Sequence, residues 1–275
     1  MEKALMTAKL TITALFVALT LTSCFAACPT EPNAPASRES AQSDPVKAVL
    51  KNLKKAAASL KTYQAKIEYL VQEPEYETQK IRKGELFYAK DPNHSNLRVN
   101  FETLKIDDQP PQPELEHYIF DGVWLTQIKY ELKQARRIQQ AEPNKPADPF
   151  ELLSSRFPVI GFTNIEDLRK DFDITLVDLP ADQKDKLTLL RLKVKPASKY
   201  AEDYTEMHFW LNAKLNLPCK IRAVAATEDE FILPDIHEIT FIDPLVNKPI
   251  PPKIFDFQIP KGFQTETEPL KDPDN

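Results

Sequence analysis

From residue 61 onward the chain alternates apolar and polar side chains in short runs broken by turn residues. This period of two constrains the fold more than any motif does. In the first run Tyr63, Ala65, Ile67, Tyr69 and Val71 alternate with Gln64, Lys66, Glu68 and Gln72. Successive side chains of a strand point to opposite faces, so the run predicts a strand with one buried face. Similar runs follow at 80–89, 96–101, 116–120, 123–130 and 135–140, then at 172–177, 186–194, 206–211, 218–226 and 236–241, with a short last one at 255–258. Asp121-Gly122 is a tight-hairpin signal, Asp91-Pro92-Asn93 another turn, and Pro110, Pro111 and Pro113 mark a longer loop. Neighbouring runs joined by short turns pair antiparallel. About eleven strands in one sheet must curl, and the helices are the segments available to cover the inner face. The expected fold class is α+β: an open, curved antiparallel β-sheet, an incomplete β-barrel of about eleven strands, with helices across its concave face.

Two stretches depart from period two. Asp44-Pro45 reads as an N-cap followed by proline at the first helical position. Val46, Val49, Leu50, Leu53, Ala57 and Leu60 then share one face, with Lys47, Lys51, Lys54, Lys55 and Lys61 mostly on the rest. A basic amphipathic helix can dock on an anionic membrane, but a helix packed by one face with solvated lysines on the other is the commoner reading. Midway, Asp148-Pro149-Phe150-Glu151 carries a capping acid, a proline and a Glu at capping-box spacing. It predicts a short helix bearing Phe150, Leu152, Leu153 and Phe157, and Asn164 is expected to cap another through about Lys170.

The N-terminus has a different character. Leu10 to Leu21 is an uncharged, apolar-rich run, long enough for a signal-peptide core and short of a bilayer span, and it ends in Leu21-Thr22-Ser23-Cys24. A small residue pair before cysteine is the pattern cut by the bacterial lipoprotein peptidase once diacylglycerol is on the thiol. Phe25-Ala26-Ala27-Cys28 is a weaker second candidate, and an ordinary secretory cut after Ala26 a third reading. The expected organisation is a lipoprotein signal peptide at 1–23, a disordered Pro-, Ala-, Ser- and Glu-rich tether at 24–44, one folded domain at 45–265 and a polar tail at 266–275. The chain is expected to be exported and held by a lipid on Cys24, facing the periplasm. Phe25 supplies no acidic retention signal, which points to the outer membrane.

Composition excludes several function classes. Thirty-six basic against 41 acidic residues, a net charge of -5, make no electrostatic case for nucleic acid. Four glycines against 24 prolines speak against glycine-rich phosphate-binding loops. Cys28 and Cys219 would be the thiols left after lipidation, too few for a disulfide scaffold. His94, His117, His208 and His237 are scattered, with no metal-ligand spacing and no nucleophile elbow. Glu75, Glu77 and Asp107-Asp108 read as solvated loop acids. No catalytic residue, metal ligand or cofactor is therefore assigned, and an enzyme is not expected.

The order of these features resembles the outer-membrane lipoprotein carriers and acceptors (LolA/LolB type) from about Pro45 to Phe263. The resemblance rests on Gly84-Glu85-Leu86-Phe87-Tyr88, Asp91-Pro92 and Leu97-Arg98-Val99, then Asp121-Gly122-Val123-Trp124, Asp148-Pro149-Phe150-Glu151-Leu152-Leu153, and a closing segment from Asp243 to Gly262. The loop at 110–113 and the stretch 178–186 look longer than in a minimal member, and this chain carries a lipidation signal where the carrier is soluble. The resemblance implies a monomer that binds an acyl lipid or a lipoprotein client on its apolar concave face, beneath helices that act as a lid. It implies Phe150, Leu153 and Phe157 as lid residues, Tyr88 and Trp124 as cavity lining, and Arg98 as the side chain that holds the lid. The alternative on the same fold is a protein-binding or envelope-stress sensor module. An apolar cavity of roughly several hundred Å³ would favour lipid, and a filled interior would not.

Overall fold

A computed structural model describes residues 44–91, 94–154, 157–163, 165–227, 229 and 231–270. Cys24, Cys28, the tether and the expected cap Asn164 lie outside the described residues. The folded unit opens with helix α1 (Pro45–Ala58). Asp44 Oδ1 accepts from the Val46 amide at 3.1 Å, as the sequence predicts for its cap. Six strands follow as a meander: β1 (Thr62–Glu73), β2 (Thr78–Lys90), β3 (Ser95–Ile106), β4 (Gln112–Phe120), β5 (Trp124–Lys129) and β6 (Gln134–Gln139). An insertion carries the short helices α2 (Pro149–Leu153) and α3 (Leu168–Asp171). A second meander comprises β7 (Phe172–Val177), helix α4 (Ala181–Lys184), then β8 (Leu187–Val194), β9 (Tyr204–Asn212), β10 (Pro218–Ala225) and β11 (Ile236–Val246). Strand β12 (Gln264–Glu268) is last.

All twelve strands form one sheet in the order β12-β6-β5-β4-β3-β2-β1-β11-β10-β9-β8-β7. The two meanders join where β11 pairs antiparallel with β1, Ile67 opposite Phe241 and Tyr69 opposite Ile239. The sheet stays open, with β12 and β7 as its edges. Alternation and register then sort every strand residue onto one of two faces. Tyr63, Ile67, Leu86, Tyr88, Leu97, Val99, Phe101, Tyr118, Phe120, Ile221, Ile239 and Phe241 share the inner face and belong to one buried cluster with the insertion.

Gly84 explains its place in the Gly-Glu-Leu-Phe-Tyr run. The β2–β3 register shifts at Lys83/Gly84, and a Cβ there would meet the Asn100 carbonyl oxygen at 1.8 Å. No side chain fits at such a bulge, where the two backbones approach closely.

Two expectations are corrected. The segment 255–258 is no strand. After Asn247 the chain leaves the sheet, makes a 3₁₀ turn at Pro252–Ile254 and crosses the outer face as an irregular strap. Pro249, Pro251, Pro252 and Pro260 remove the backbone donors a strand would need. The segment Gln264–Glu268, which runs into the expected polar tail at 266–275, forms β12 and pairs parallel with β6, Gln264 opposite Gln134 and Glu268 opposite Ile138. That pairing covers the edge of β6 with a short polar strand.

Candidate functional site

The insertion fills the inner face of the sheet. Asp148 Oδ1 accepts from the amides of Phe150 and Glu151, both at 3.0 Å, and from the Thr163 hydroxyl at 2.7 Å, which starts α2 and ties it to the later part of the insertion. Phe150 then stacks on Phe162 at 4.8 Å and meets the Tyr88 ring at 4.9 Å. Phe162 sits edge-on to Tyr63 at 5.1 Å and to Phe241 at 5.0 Å. Further along, Phe157 packs among Tyr69, Tyr118 and Phe101 at 5.1–5.6 Å. Phe150, Leu153 and Phe157 are 1%, 1% and 4% exposed. The structure thus brings these three and Tyr88 together on the inner face, as an aromatic plug on an aromatic wall.

Among the described residues the inner face is filled by the buried plug side chains. The hollow between the insertion and the loop at 195–203, beside Phe150, Ile160 and Tyr200, is about 10 Å³, roughly what one water needs. The larger hollows are open surface grooves, such as that of about 430 Å³ along β5, β6 and β12.

Arg98 and Trp124 are corrected in position. Arg98 pairs with Phe87 and Ile119, one residue out of phase with inner-face Leu97 and Val99, so it projects from the outer face. There its Nη1 donates to the Ile254 carbonyl oxygen at 2.7 Å, its Nε donates to Asn100 Oδ1 at 2.7 Å, and its guanidinium lies 5.5 Å from the Phe257 ring centre. It holds a backbone carbonyl of the strap and not of the plug. Trp124 pairs with Gln139 and is out of phase with inner-face Leu125. Its outer-face partner is Arg137, at 4.9 Å from the ring. Register decides both cases, because a shift of one residue exchanges the faces.

Sequence reading missed the polar end of the inner face. Glu116 is 3% exposed. Its carboxylate receives Arg82 Nη1 at 2.8 Å, Tyr118 Oη at 3.1 Å and Gln127 Nε2 at 2.7 Å. Arg82 also pairs with Glu114 at 3.2 Å and lies 5.7 Å from the Phe101 ring, next to the plug's Phe157. Nearby, Tyr69 Oη and His237 Nδ1 share a 2.7 Å hydrogen bond. Burial holds the His237 imidazolium below its usual pKa, against Asp235 and Glu73. Alternating charge in β2 and β4 was the available signal, but an Arg or Glu in a strand ordinarily means a solvated face.

Beneath the strap lies a second apolar cluster of Ile119, Ile128 and Ala135 with Tyr130, Phe257, Ile259 and Phe263. His117 borders it, within 3.0 Å of the Tyr130 hydroxyl and 3.4 Å of Arg98 Nη2. Burial and the Arg98 charge push its pKa down to about 4. Cys219 is a free thiol that donates to the Trp210 carbonyl at 3.2 Å, and burial raises its pKa, so it is not poised as a nucleophile. Among the described residues no group of three or more His, Cys, Asp or Glu is placed to hold a metal, and no helix is long and apolar enough to cross a membrane.

No family model and no curated protein matches the chain. Solved structures do. An uncharacterized conserved protein from Thermus thermophilus aligns over 82% of this chain and 99% of its own, at 13% identity and TM-score 0.45. MucB in the Pseudomonas aeruginosa MucA/MucB complex aligns over 77% of this chain and 60% of its own, at 12% identity and TM-score 0.43. An outer membrane lipoprotein-sorting protein domain from Vibrio parahaemolyticus aligns over 77% and 95%, at 13% identity and TM-score 0.36. Likenesses of this degree say nothing of ligand or activity. The topology itself is an open, mostly antiparallel sheet of two meanders with a helical insertion seated on the inner face.

Proposed function

We propose that this chain is a non-catalytic, lipid-anchored protein of the bacterial cell envelope, whose inner sheet face accepts an acyl chain or a lipoprotein client when the plug moves out. The observation that supports this is the make-up of the plug. Phe150, Leu153, Phe157 and Phe162 meet an apolar wall, while polar ties sit at the rim: Tyr204 Oη to the Ser154 carbonyl at 2.9 Å, the Lys199–Glu151 pair, and the Ala147 amide to the Gly122 carbonyl at 3.0 Å. Magnitudes make an exchange plausible. Burying four large apolar side chains contributes roughly 6–12 kcal/mol, and an acyl chain of about fifteen methylenes contributes roughly 12 kcal/mol. Neither occupant wins by a wide margin, so a client could replace the plug without unfolding the sheet.

The membrane side of the proposal rests on the sequence. Cys24 carries the anchor, the domain faces the periplasm, the outer membrane is the expected site, and the protein acts as a monomer. The test is native mass spectrometry of the mature chain with Cys24→Ser, purified from a bacterial periplasm, with uptake of a fluorescent fatty acid measured alongside. Co-purifying acyl lipid, or probe uptake that rises in Phe157→Ala while the fold is retained, supports the reading. The filled inner face favours a second reading, a protein-binding module whose plug never leaves. A clean apo mass and no uptake by either form would establish that reading over the first.

A further inference from the structure

Helix α1 carries Lys47, Lys51, Lys54 and Lys55 and no acid, although the whole chain has a net charge of -5. Its Leu53 is buried in the core, so the helix is packed by one face, and all four lysines are exposed. Lys47, Lys51 and Lys54 follow at i, i+4 and i+7 and form one stripe. That stripe faces the 3₁₀ turn Ile165–Asp167 and α3. Between them lies a depression of about 290 Å³, ringed by Lys47, Lys51, Lys54 and Arg169, with Leu50 and Ile165 in its lining. Glu166, paired with Lys54 at 2.5 Å, is the one carboxylate among these lining residues. Lys47 and Lys51 have no carboxylate partner among the described residues.

A solvated lysine face is common and needs no ligand. Two observations set this one apart. The cations border a shallow depression that has apolar side chains in it. The chain also enters the domain at its edge, since Asp44 pairs with Arg169 at 2.7 Å. Cys24 lies twenty residues before Asp44 in the chain. An anchor on Cys24 would join the domain through Asp44, at the edge of this depression.

We infer that the depression between α1 and α3 binds the phosphodiester headgroup of anionic phospholipid in the leaflet to which the domain is tethered. The inference rests on the envelope location proposed above, and it is independent of the plug. Exposed lysines beside an anionic surface each add to the attraction. Leu50 and Ile165 would contact the glycerol and upper acyl region while the cations take the phosphate. The site would hold the domain at a fixed angle to the membrane.

The test uses the mature chain with Cys24→Ser, so that no acyl group drives binding. Co-sedimentation is measured with phosphatidylcholine vesicles and with vesicles of equal parts phosphatidylglycerol and phosphatidylcholine. Binding to the anionic vesicles alone, weakened by salt and on the order of tenfold or more weaker in Lys47→Glu/Lys51→Glu, is the expected result. The melting temperature of that variant should match the parent, because both side chains are exposed. Equal binding to both vesicle types, or a charge-reversed variant that binds like the parent, overturns the inference. So does binding abolished by millimolar inorganic phosphate at constant ionic strength, which would mark a free-anion site. Fatty-acid uptake by the charge-reversed variant is read separately, so failure here and failure of the acyl-binding proposal give different results.

Discussion

Arg98 Nη1 donates a 2.7 Å hydrogen bond to the carbonyl oxygen of Ile254, a residue 156 positions further along the chain. This bond, with the Phe257 ring against the same guanidinium, fastens the C-terminal strap to the outer face of β3. The strap starts at Asn247, whose Oδ1 accepts from the Lys61 amide at 2.7 Å. It ends where the Gln264 amide reaches the Lys133 carbonyl at 2.9 Å. Both ends of the strap are thereby tied to the first meander.

Replacing Arg98 with Ala should free the strap. The loss of a charged hydrogen bond to a backbone acceptor corresponds to about 2 kcal/mol. Limited trypsin digestion should cut at Lys253 and Lys261 much faster than in the parent, and hydrogen exchange in β12 should accelerate. Unchanged exchange in β12 would mean that the apolar contacts of Phe257 and Phe263 hold the strap alone.

Breaking the Arg82–Glu116 pair should be more costly. Glu116 is buried and receives three hydrogen bonds, and removing one partner of such a pair leaves a buried charge at a cost of about 3 kcal/mol. Arg82→Ala and Glu116→Gln should each lower the urea midpoint. The double variant should lose less than the sum of the two, with a coupling of roughly 1 kcal/mol or more. Strict additivity would show the two side chains acting independently.

Tyr63→Phe should have the opposite sign to most core changes. The Tyr63 hydroxyl is buried with no hydrogen-bond partner among the described residues, and burial raises its pKa. An unpaired buried hydroxyl costs roughly 1–3 kcal/mol, so its removal should leave the melting temperature equal or higher. A clear fall would mean that the hydroxyl is engaged in solution.

Acid should destabilise the fold through its histidines. His117 titrates near 4 in the folded chain, lowered by burial and by Arg98, with Tyr130 as its other polar neighbour, against about 6.5 when unfolded. Between those values the unfolded chain binds the extra proton, so stability is full above about pH 6.5 and falls as pH drops towards 4. Burial shifts His208 and His237 in the same direction. Urea midpoints measured from pH 7.5 to 4.5 should decline, and His117→Gln should make the decline shallower. An unchanged slope would assign the effect to the other two.

Local chemistry is readable from the chain. Asp44 and Asp148 cap the helices they precede, and the period-two run at 172–177 coincides with strand Phe172–Val177. β1 and β2 differ from expectation by a few terminal residues, since period two is written directly into side-chain order. Phe150, Leu153, Phe157 and Tyr88 are picked out through the resemblance to the lipoprotein carriers, and the structure sets them together on the inner face. Arg98 and Trp124 cannot be placed by alternation, which yields two faces without saying which is inside. Their phase depends on which neighbours pair and where bulges fall, and the registers shift at Lys83/Gly84 and Phe101/Thr103.

The sequence by itself determined a many-stranded antiparallel sheet, its two meanders, the capped helices and the apolar insertion, because each is set by interactions among residues close in the chain. Tertiary structure alone decided three things. The plug fills the inner face, which depends on how side chains from several strands interdigitate. The strap crosses the outer face and returns as a parallel edge strand, a pairing between residues 130 positions apart that no local pattern encodes. A buried Arg82–Glu116 pair sits at the end of an apolar wall, because two charges from different strands offset each other's desolvation only once the register has brought them together.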